Sequence, residues 1–204
     1  MGLLSPSVTV ARYAIQEKID GPIIETVHNA LCKQSFQEIE NRSESKSLGW
    51  TSFETPFKPN FEDSSFLVGA YMVFALRIDK KTVPPKLLKK HYSLAVEKKL
   101  ADTGREYLSR NEKEIIREHV LNNLLIRIPA VPDIYDVIWN YEESYAWFFS
   151  GTKAANEEFE SLFLKSFKIS AIRLFPYTEA DLVANLSDSE QDLLQNLQPA
   201  RFVS

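Results

Sequence analysis

Alternation of apolar and polar positions predicts several strands along the chain. Residues 7–15, SVTVARYAI, alternate with the period of two that is typical of a half-buried strand. Residues 70–79, AYMVFALRID, are rich in β-branched and aromatic side chains and indicate a buried strand. We also expect a strand with a turn-rich exit in 46–59, two strands joined at 142–144 within 134–151, and a last strand in 169–177.

A spacing of four between apolar residues predicts two helices that pack against these strands. Ile23, Val27 and Leu31 recur in the segment after Pro22, a residue that is well tolerated at a helix N-terminus. Phe159 and Phe163 recur in the same way within 152–167, and Phe167 continues the series. Each series places its apolar residues on one helix face, so both helices should cover the sheet.

The segment 80–128 is predicted to form a helical hairpin. Pro84 and Pro85 end the preceding strand and favour a helix start, and Gly104 is a suitable terminator for a helix that runs to about Asp102. The S-x-x-E spacing of Ser109 and Glu112 is that of a capping box at the start of a second helix. This second helix should end before Pro129 and pack antiparallel to the first through an apolar stripe formed by Ile116, Val120 and Leu124.

Together these elements predict an α+β fold, with an antiparallel or mixed sheet body, packed helices and a projecting helical hairpin. The expected organisation is a sheet-containing body formed by 1–79 and 129–178, an inserted basic helical hairpin at 80–128, and an acidic C-terminal tail at 179–204. From about Asp181 the tail is only weakly periodic, which predicts a short helix or a loosely held segment.

The distribution of charge separates the helical hairpin from the rest of the chain. Residues 80–127 hold 12 of the 24 Lys and Arg residues and 6 of the 28 acidic residues, a local net charge of +6 in a chain of net charge −4. The remainder therefore carries −10. A basic element attached to an acidic body indicates an anionic partner for that element.

At about 100° per residue, Lys86, Lys89 and Lys90 share one helix face, and apolar residues from Leu87 to Ala95 lie opposite. Lys98 and Lys99 fall near the apolar arc in the last turn, where they offset the helix dipole. One interpretation is a solvated face with i,i+4 pairs such as Arg110 with Glu114; the other is phosphate binding. The candidate phosphate-binding residues are Lys80, Lys81, Lys86, Lys89, Lys90, Arg105, Arg110, Lys113 and Arg117.

The sequence offers little support for catalysis. His28, His91 and His119 lie far apart and suggest no zinc site, and we expect no cofactor. Asp133 and Asp136 are the nearest candidates for a nuclease metal pair, but three residues apart on a strand they should point to opposite faces. We therefore expect a protein that is not an enzyme.

The aromatic residues of 139–149 admit two interpretations. They are a stacking platform for single-stranded bases, or they form cross-strand pairs that fill a core. The second is favoured because no basic residue between Ile128 and Gly151 interleaves with them.

Three segments together resemble the bacterial recombination-associated RdgC family. They are LGW at 48–50, VFALRIDKKTVPP at 73–85 followed by the helical hairpin, and the long stretch from DVIWNY to FPYT at 136–178. The likeness covers roughly residues 1–178 and depends on the order of the segments. It implies a non-enzymatic, sequence-independent binder of double-stranded DNA, a ring-like homodimer with a basic inner surface that restrains the recombinase filament.

Typical members of that family continue past the point where this chain stops, and the additional part helps to complete the ring. The alternative is therefore a homodimeric interaction or structural protein that keeps the fold and has lost duplex binding. The single cysteine, Cys32, excludes an internal disulfide, and no apolar run approaches the ~20 residues that span a bilayer. We expect a cytoplasmic, nucleoid-associated protein without a membrane role.

Overall fold

The computed structural model describes residues 2–61, 65–183 and 186–197. These residues form an antiparallel seven-stranded sheet and six helices, which confirms the α+β prediction. The strands are β1 (Ala11–Ile15), β2 (Lys46–Ser52), β3 (Leu67–Val68), β4 (Tyr71–Lys80), β5 (Val131–Asn140), β6 (Tyr145–Phe148) and β7 (Ala171–Arg173). The helices are α1 (Ile23–Lys33), α2 (Pro85–Thr103), α3 (Arg110–Arg127), α4 (Lys153–Phe167), α5 (Pro176–Val183) and α6 (Asp188–Gln195).

The sheet has the strand order β2-β4-β5-β6-β1-β7, and β3 pairs with one end of β4. β4 is an interior strand that is buried on both faces, as its β-branched and aromatic content predicts. It pairs with β5 over ten residues, from Tyr71 with Asn140 to Lys80 with Val131. β5 and β6 form the predicted pair around the turn at 142–144. Gly49 of β2 is required by packing, because a Cβ there would lie 2.5 Å from the Cα of Phe36.

The core lies between one face of the sheet and the helices α1 and α4. The four-residue spacing in α4 places Phe159, Phe163 and Phe167 on its buried face, as predicted. Phe159 is fully buried, and its ring centroid lies 4.6 Å from that of Phe148 in a stacked arrangement. Trp50 packs edge-on against Phe74 with centroids 5.1 Å apart. Such aromatic pairs stabilise a fold beyond the area that they bury.

The helical hairpin, α2 and α3, is inserted between β4 and β5 and has the predicted local signals. α2 ends at Gly104, whose φ of 63° is in the left-handed region that favours glycine. α3 begins with the complete capping box, in which the Ser109 hydroxyl accepts from Glu112 N and the Glu112 carboxylate accepts from Ser109 N. None of the residues of α2, all of which are described, is buried, whereas α3 buries Val120, Leu124 and Leu125 near its end. The helical hairpin therefore projects from the sheet.

Two segments differ from the sequence predictions. Regular pairing of the first strand begins at Ala11 and not at residue 7. The helix α5 was not predicted, because the chain was expected to leave the last strand directly into the tail. Within the predicted tail α6 is a short helix with a capping box at Ser187, and residues 184–185 and 198–204 lie outside the described residues.

We expect Phe159→Ala to lower the free energy of unfolding by about 3–5 kcal/mol, because it leaves a cavity among closely packed rings. Leu164→Ala on the same helix is the matched control, since Leu164 is 50% exposed and should lose less than about 1 kcal/mol. Urea denaturation of both variants measures the difference. Equal losses for the two variants would contradict the assigned core.

The capping box of α3 should make stability depend on pH. The hydrogen bond from Arg105, aided by those from the backbone and hydroxyl of Ser109, lowers the pKa of Glu112 from 4.5 to about 2. A carboxyl group with a depressed folded-state pKa stabilises the fold above its unfolded-state pKa, and this contribution is lost as pH falls from about 4.5 towards 2.

Glu112→Gln should therefore lower the melting temperature at pH 7 and have a smaller effect near pH 2. Melting curves of parent and variant between pH 2 and 7 measure this difference. Glu118→Gln, an exposed change in the same helix, is the control and should show no such convergence. A Glu112→Gln effect that is the same at both ends of the range would show that the carboxylate contributes nothing through its charge.

Candidate nucleic-acid interface

Basic side chains extend along the helical hairpin from its base to its tip. α2 leaves β4 directly, so Lys86, Lys89 and Lys90 lie near the base. α3 starts at the far end, so Arg110 and Lys113 lie near the tip. Arg117 follows between these two groups. All six side chains are exposed, and none of them has an ion pair within the described part of the chain.

The two helices bring Lys89 and Arg117 to one groove. The groove has a volume of about 340 Å³ and is also lined by Pro85, Leu88 and Tyr92. Lys86 and Lys90 lie one helical turn apart on the outward face of α2, next to Lys89. The structure thus joins cations of both helices into one basic surface on this flank. Tyr92 was not identified from the sequence as part of this groove, although its i+3 spacing from Lys89 places both residues on the same face of α2.

The opposite flank of the helical hairpin differs in character. Its groove, of about 540 Å³, has apolar walls at Ala95, Ile115 and Ile116. Lys98 and Lys99 line it together with the acidic residues Asp102 and Glu112, so its charges are mixed. The expectation that these two lysines lie beside apolar surface agrees with this position.

Lys81 is not available to phosphate, and its inclusion among the candidates is corrected by the structure. Its side chain is 5% exposed. Its Nζ donates to the carbonyl oxygens of Ile39 at 2.7 Å, Arg42 at 2.9 Å and Leu125 at 3.0 Å. All three protons of the ammonium group therefore have protein acceptors.

Two other candidates are exposed but already paired with carboxylates. The Nζ of Lys80 lies 3.4 Å from Oδ2 of Asp133, and the guanidinium of Arg105 pairs with Glu112. These pairs reduce the charge that each side chain offers to a ligand. Conversely, the i,i+4 pair of Arg110 with Glu114, which was the example for the solvated-face interpretation, is not among the ion pairs of the described residues. Arg110 therefore keeps its full charge.

The histidines are less isolated than their sequence positions indicate. His91 and His119 line the same cavity of about 250 Å³ between α2 and α3. His28 lies in α1, and its Nε2 is 3.6 Å from the Sγ of Cys32 at position i+4. Within the described ranges, no group of three or more His, Cys, Asp or Glu residues has a geometry that could hold a metal ion.

The two carboxylates considered for a metal pair have separate structural roles. Asp133 pairs with Lys80, as described above. Asp136 is buried, and its Oδ2 accepts a hydrogen bond of 2.6 Å from the backbone N–H of Leu3. Burial raises the pKa of Asp136, and the Leu3 bond partly opposes this shift. Three residues apart on β5, the two side chains point to opposite faces of the sheet.

The aromatic residues of β5 and β6 mainly form the core. Trp139 and Phe148 are fully buried. Trp147 is 36% exposed and stacks on Tyr71 with ring centroids 6.3 Å apart. This arrangement agrees with the preferred interpretation of cross-strand core pairs.

In the described parts of the chain, no helix combines the length and apolar character needed to cross a membrane.

Comparison with known proteins identifies a family for this chain. The model of the family described as "Putative exonuclease, RdgC" matches residues 9–188. No curated protein matches the chain. The matched range includes the sheet, α1, α4 and the whole helical hairpin, so it covers the elements on which the resemblance was based. The chain belongs to the RdgC family.

Proposed function

We propose that this protein binds double-stranded DNA without sequence preference and acts in DNA recombination, with the helical hairpin as its phosphate-binding element. The observation that carries the proposal is the basic surface described above. Six exposed cations without carboxylate partners lie on an element of net charge +6, in a chain whose remaining residues carry −10. Charge segregated in this way attracts a polyanion to one element.

The chemistry of these side chains favours binding to the phosphate backbone. Four of the six cations are lysines, each of which presents a compact charge on a flexible stem and binds phosphate as a point charge. Phosphate contacts fix the position of a protein on a duplex but carry no sequence information. The cations extend from the base of the helical hairpin, at Lys86 of α2, to its tip, at Arg110 of α3, a helix of 18 residues that is about 27 Å long. They can therefore contact several phosphates along a duplex.

We further propose that the protein acts without hydrolysing DNA, as a homodimer associated with the nucleoid that limits the recombinase filament by occupying duplex DNA. The resemblance stated above supports the partners in this proposal. The positions of Asp133 and Asp136 support the absence of hydrolysis, because one is engaged by Lys80 and the other holds the N-terminal segment. The name of the family makes nuclease activity the outcome to test against.

Duplex binding should depend steeply on salt. The logarithm of the affinity should fall linearly with the logarithm of salt concentration, by about 0.9 per neutralised phosphate. Replacing Lys86, Lys89 and Lys90 together with Gln should weaken binding to all duplex sequences about equally. It should also make the slope shallower by about 0.9 for each phosphate contact that is lost, up to three contacts. Fluorescence anisotropy with two unrelated duplexes at several salt concentrations measures both quantities.

The matched control replaces Lys153, Lys165 and Lys168 with Gln, which removes the same charge from exposed positions on or next to α4. This control should leave the salt slope unchanged. Equal effects of the two triple variants would show that net charge, and not the helical hairpin, determines binding. A parent protein that does not bind duplex DNA at low salt would favour the interaction or structural homodimer instead.

The purified protein should not degrade linear duplex or single-stranded DNA in the presence of Mg²⁺ or Mn²⁺. Release of acid-soluble nucleotides over time is the measurement. Turnover that follows the protein through purification and disappears in Asp133→Asn would overturn the non-enzymatic proposal. Turnover that persists unchanged in that variant would instead indicate a contaminating nuclease or a site elsewhere.

A further inference from the structure

The base of the helical hairpin is held by the segment that lies between α1 and β2. We call residues 36–45 the strap. The strap connects α1 to β2 and contains a tight turn from Ile39 to Arg42, closed by a hydrogen bond of 3.1 Å from Arg42 N to Ile39 O. Asn41 has a φ of 58° in this turn, a conformation that Asn tolerates better than most residues. The turn directs the carbonyl groups of Ile39 and Arg42 towards Lys81.

Three charged residues at the end of β4, which are Arg77, Asp79 and Lys81, hold the strap in place. Arg77 is 5% exposed, pairs with Glu38 at 2.7 Å and with Asp79 at 2.6 Å, and lies over the ring of Phe36 at 4.0 Å. Lys81 lies two residues after Asp79, so its side chain points to the same side of the sheet. There it reaches the turn of the strap. The strap is thus fixed to β4 by directional, charge-assisted contacts.

Lys81 also connects the strap to the helical hairpin itself. Besides its two bonds to the strap, Nζ donates to Leu125 O in the last turn of α3, and this bond is buried. The backbone N–H of Lys81 donates to Ser45 O at 2.8 Å. On the other connection, Ala130 N donates to the Glu40 carboxylate at 3.0 Å. Both chain connections of the helical hairpin are therefore tied to the strap.

This arrangement supplies what the apolar contacts of the helical hairpin lack. α2 buries none of its residues, all of which are described. Apolar packing between α2 and the sheet therefore does not fix the angle between the helical hairpin and the sheet. An ammonium group with three carbonyl acceptors is satisfied only in one relative placement of the strap and α3, because hydrogen bonds require near-linear geometry. Removing the group would take the Nζ donor away from the buried carbonyl oxygen of Leu125, whereas Ile39 O would keep its bond from Arg42 N.

We propose that Lys81 is a positioning residue that sets the orientation of the helical hairpin relative to the sheet, so that its basic side chains are presented together to one duplex. The orienting role concerns the free protein. Only the consequence for binding rests on the DNA-binding function proposed above. Lys81 itself does not contact the ligand.

The test uses the full chain and two spin labels. Cys32 is the single cysteine, is exposed and lies in α1, and Tyr107 lies at the tip of the helical hairpin and is 79% exposed. Labelling Cys32 and a Tyr107→Cys substitution allows the distance from body to tip to be measured by pulsed electron paramagnetic resonance without DNA. The parent should give one narrow distance distribution. Lys81→Met, which keeps the apolar stem, should give a broader or multimodal one.

Lys80→Met is the matched control, because it removes an adjacent but exposed ammonium group and should leave the distribution narrow. A distribution that stays narrow in folded Lys81→Met, or that is already broad in the parent, would overturn the proposal. If Lys81→Met does not fold, Glu40→Ala replaces it. This exposed change removes the acceptor for Ala130 N and should broaden the distribution; a narrow one would count against the proposal.

Duplex affinity gives the second readout. Lys81→Met should bind about tenfold more weakly, because the cations are no longer pre-organised. Introducing Met at Lys81 should also lower affinity more than Lys80→Met does, although Lys81 is buried and Lys80 is exposed. A parent without duplex affinity would refute the DNA-binding function while the distance measurement still decides the role of Lys81.

Discussion

The ten-residue antiparallel pairing of β4 with β5 is the constraint on which the rest of the structure depends. It places Lys80 opposite Val131, so the two ends of the helical hairpin leave the sheet from neighbouring positions. A long insertion at this point closes its loop without loss of sheet pairing, because the strands already hold its ends together. The face of β4 and β5 that points away from α1 and α4 is also in contact with other parts of the chain. The N-terminal segment bonds to Asp136 of β5, and the strap bonds to Arg77 of β4 and to Lys81 just after it.

The helical hairpin could be predicted from the sequence because its signals are local. A proline pair, Gly104 and the Ser109 capping box each act within a few residues and required no knowledge of the fold. The Phe159 series was likewise predictable, because its helical periodicity determines which face is buried. The buried strand β4 was predictable from its β-branched and aromatic content. α5 was not predictable because only two residues separate Pro176 from the short strand β7. A proline at that position is compatible both with the end of a strand and with the first residue of a helix.

The candidate site was predicted less completely, for a physical reason that Lys81 illustrates. In sequence it is indistinguishable from Lys80, yet its acceptors lie more than 35 residues away. Only the folded chain shows that one of two consecutive lysines is buried. The same is true of the pair formed by Lys80 and Asp133, and of the groove that joins Lys89 to Arg117 across two helices. Composition predicts a basic element, whereas the contacts decide which of its charges are available.

The projection of the helical hairpin also explains how an acidic protein can present a basic surface. Charges separated by more than a Debye length, about 10 Å at 0.1 M salt, are largely screened from each other. Arg110 and Lys113 lie at the far end of a helix that is about 27 Å long, so the acidic body affects them little. Lys86 and Lys90 are closer to the body and should feel its negative charge more strongly.

The cations of a projecting element can bind one duplex together only if the orientation of that element relative to the body is fixed. Apolar burial is poorly suited to fix this orientation. The hydrophobic effect is non-directional and permits sliding, whereas a hydrogen bond restrains both distance and angle. Where the helical hairpin meets the body, only the last turns of α3 are apolar and buried, through Val120, Leu124 and Leu125. The polar contacts of Lys81 and Glu40 add the missing angular restraint at the two chain connections. Burying a lysine is costly in a protein interior, and this cost is reduced here because all of its donors are used and the strap and α3 supply the acceptors.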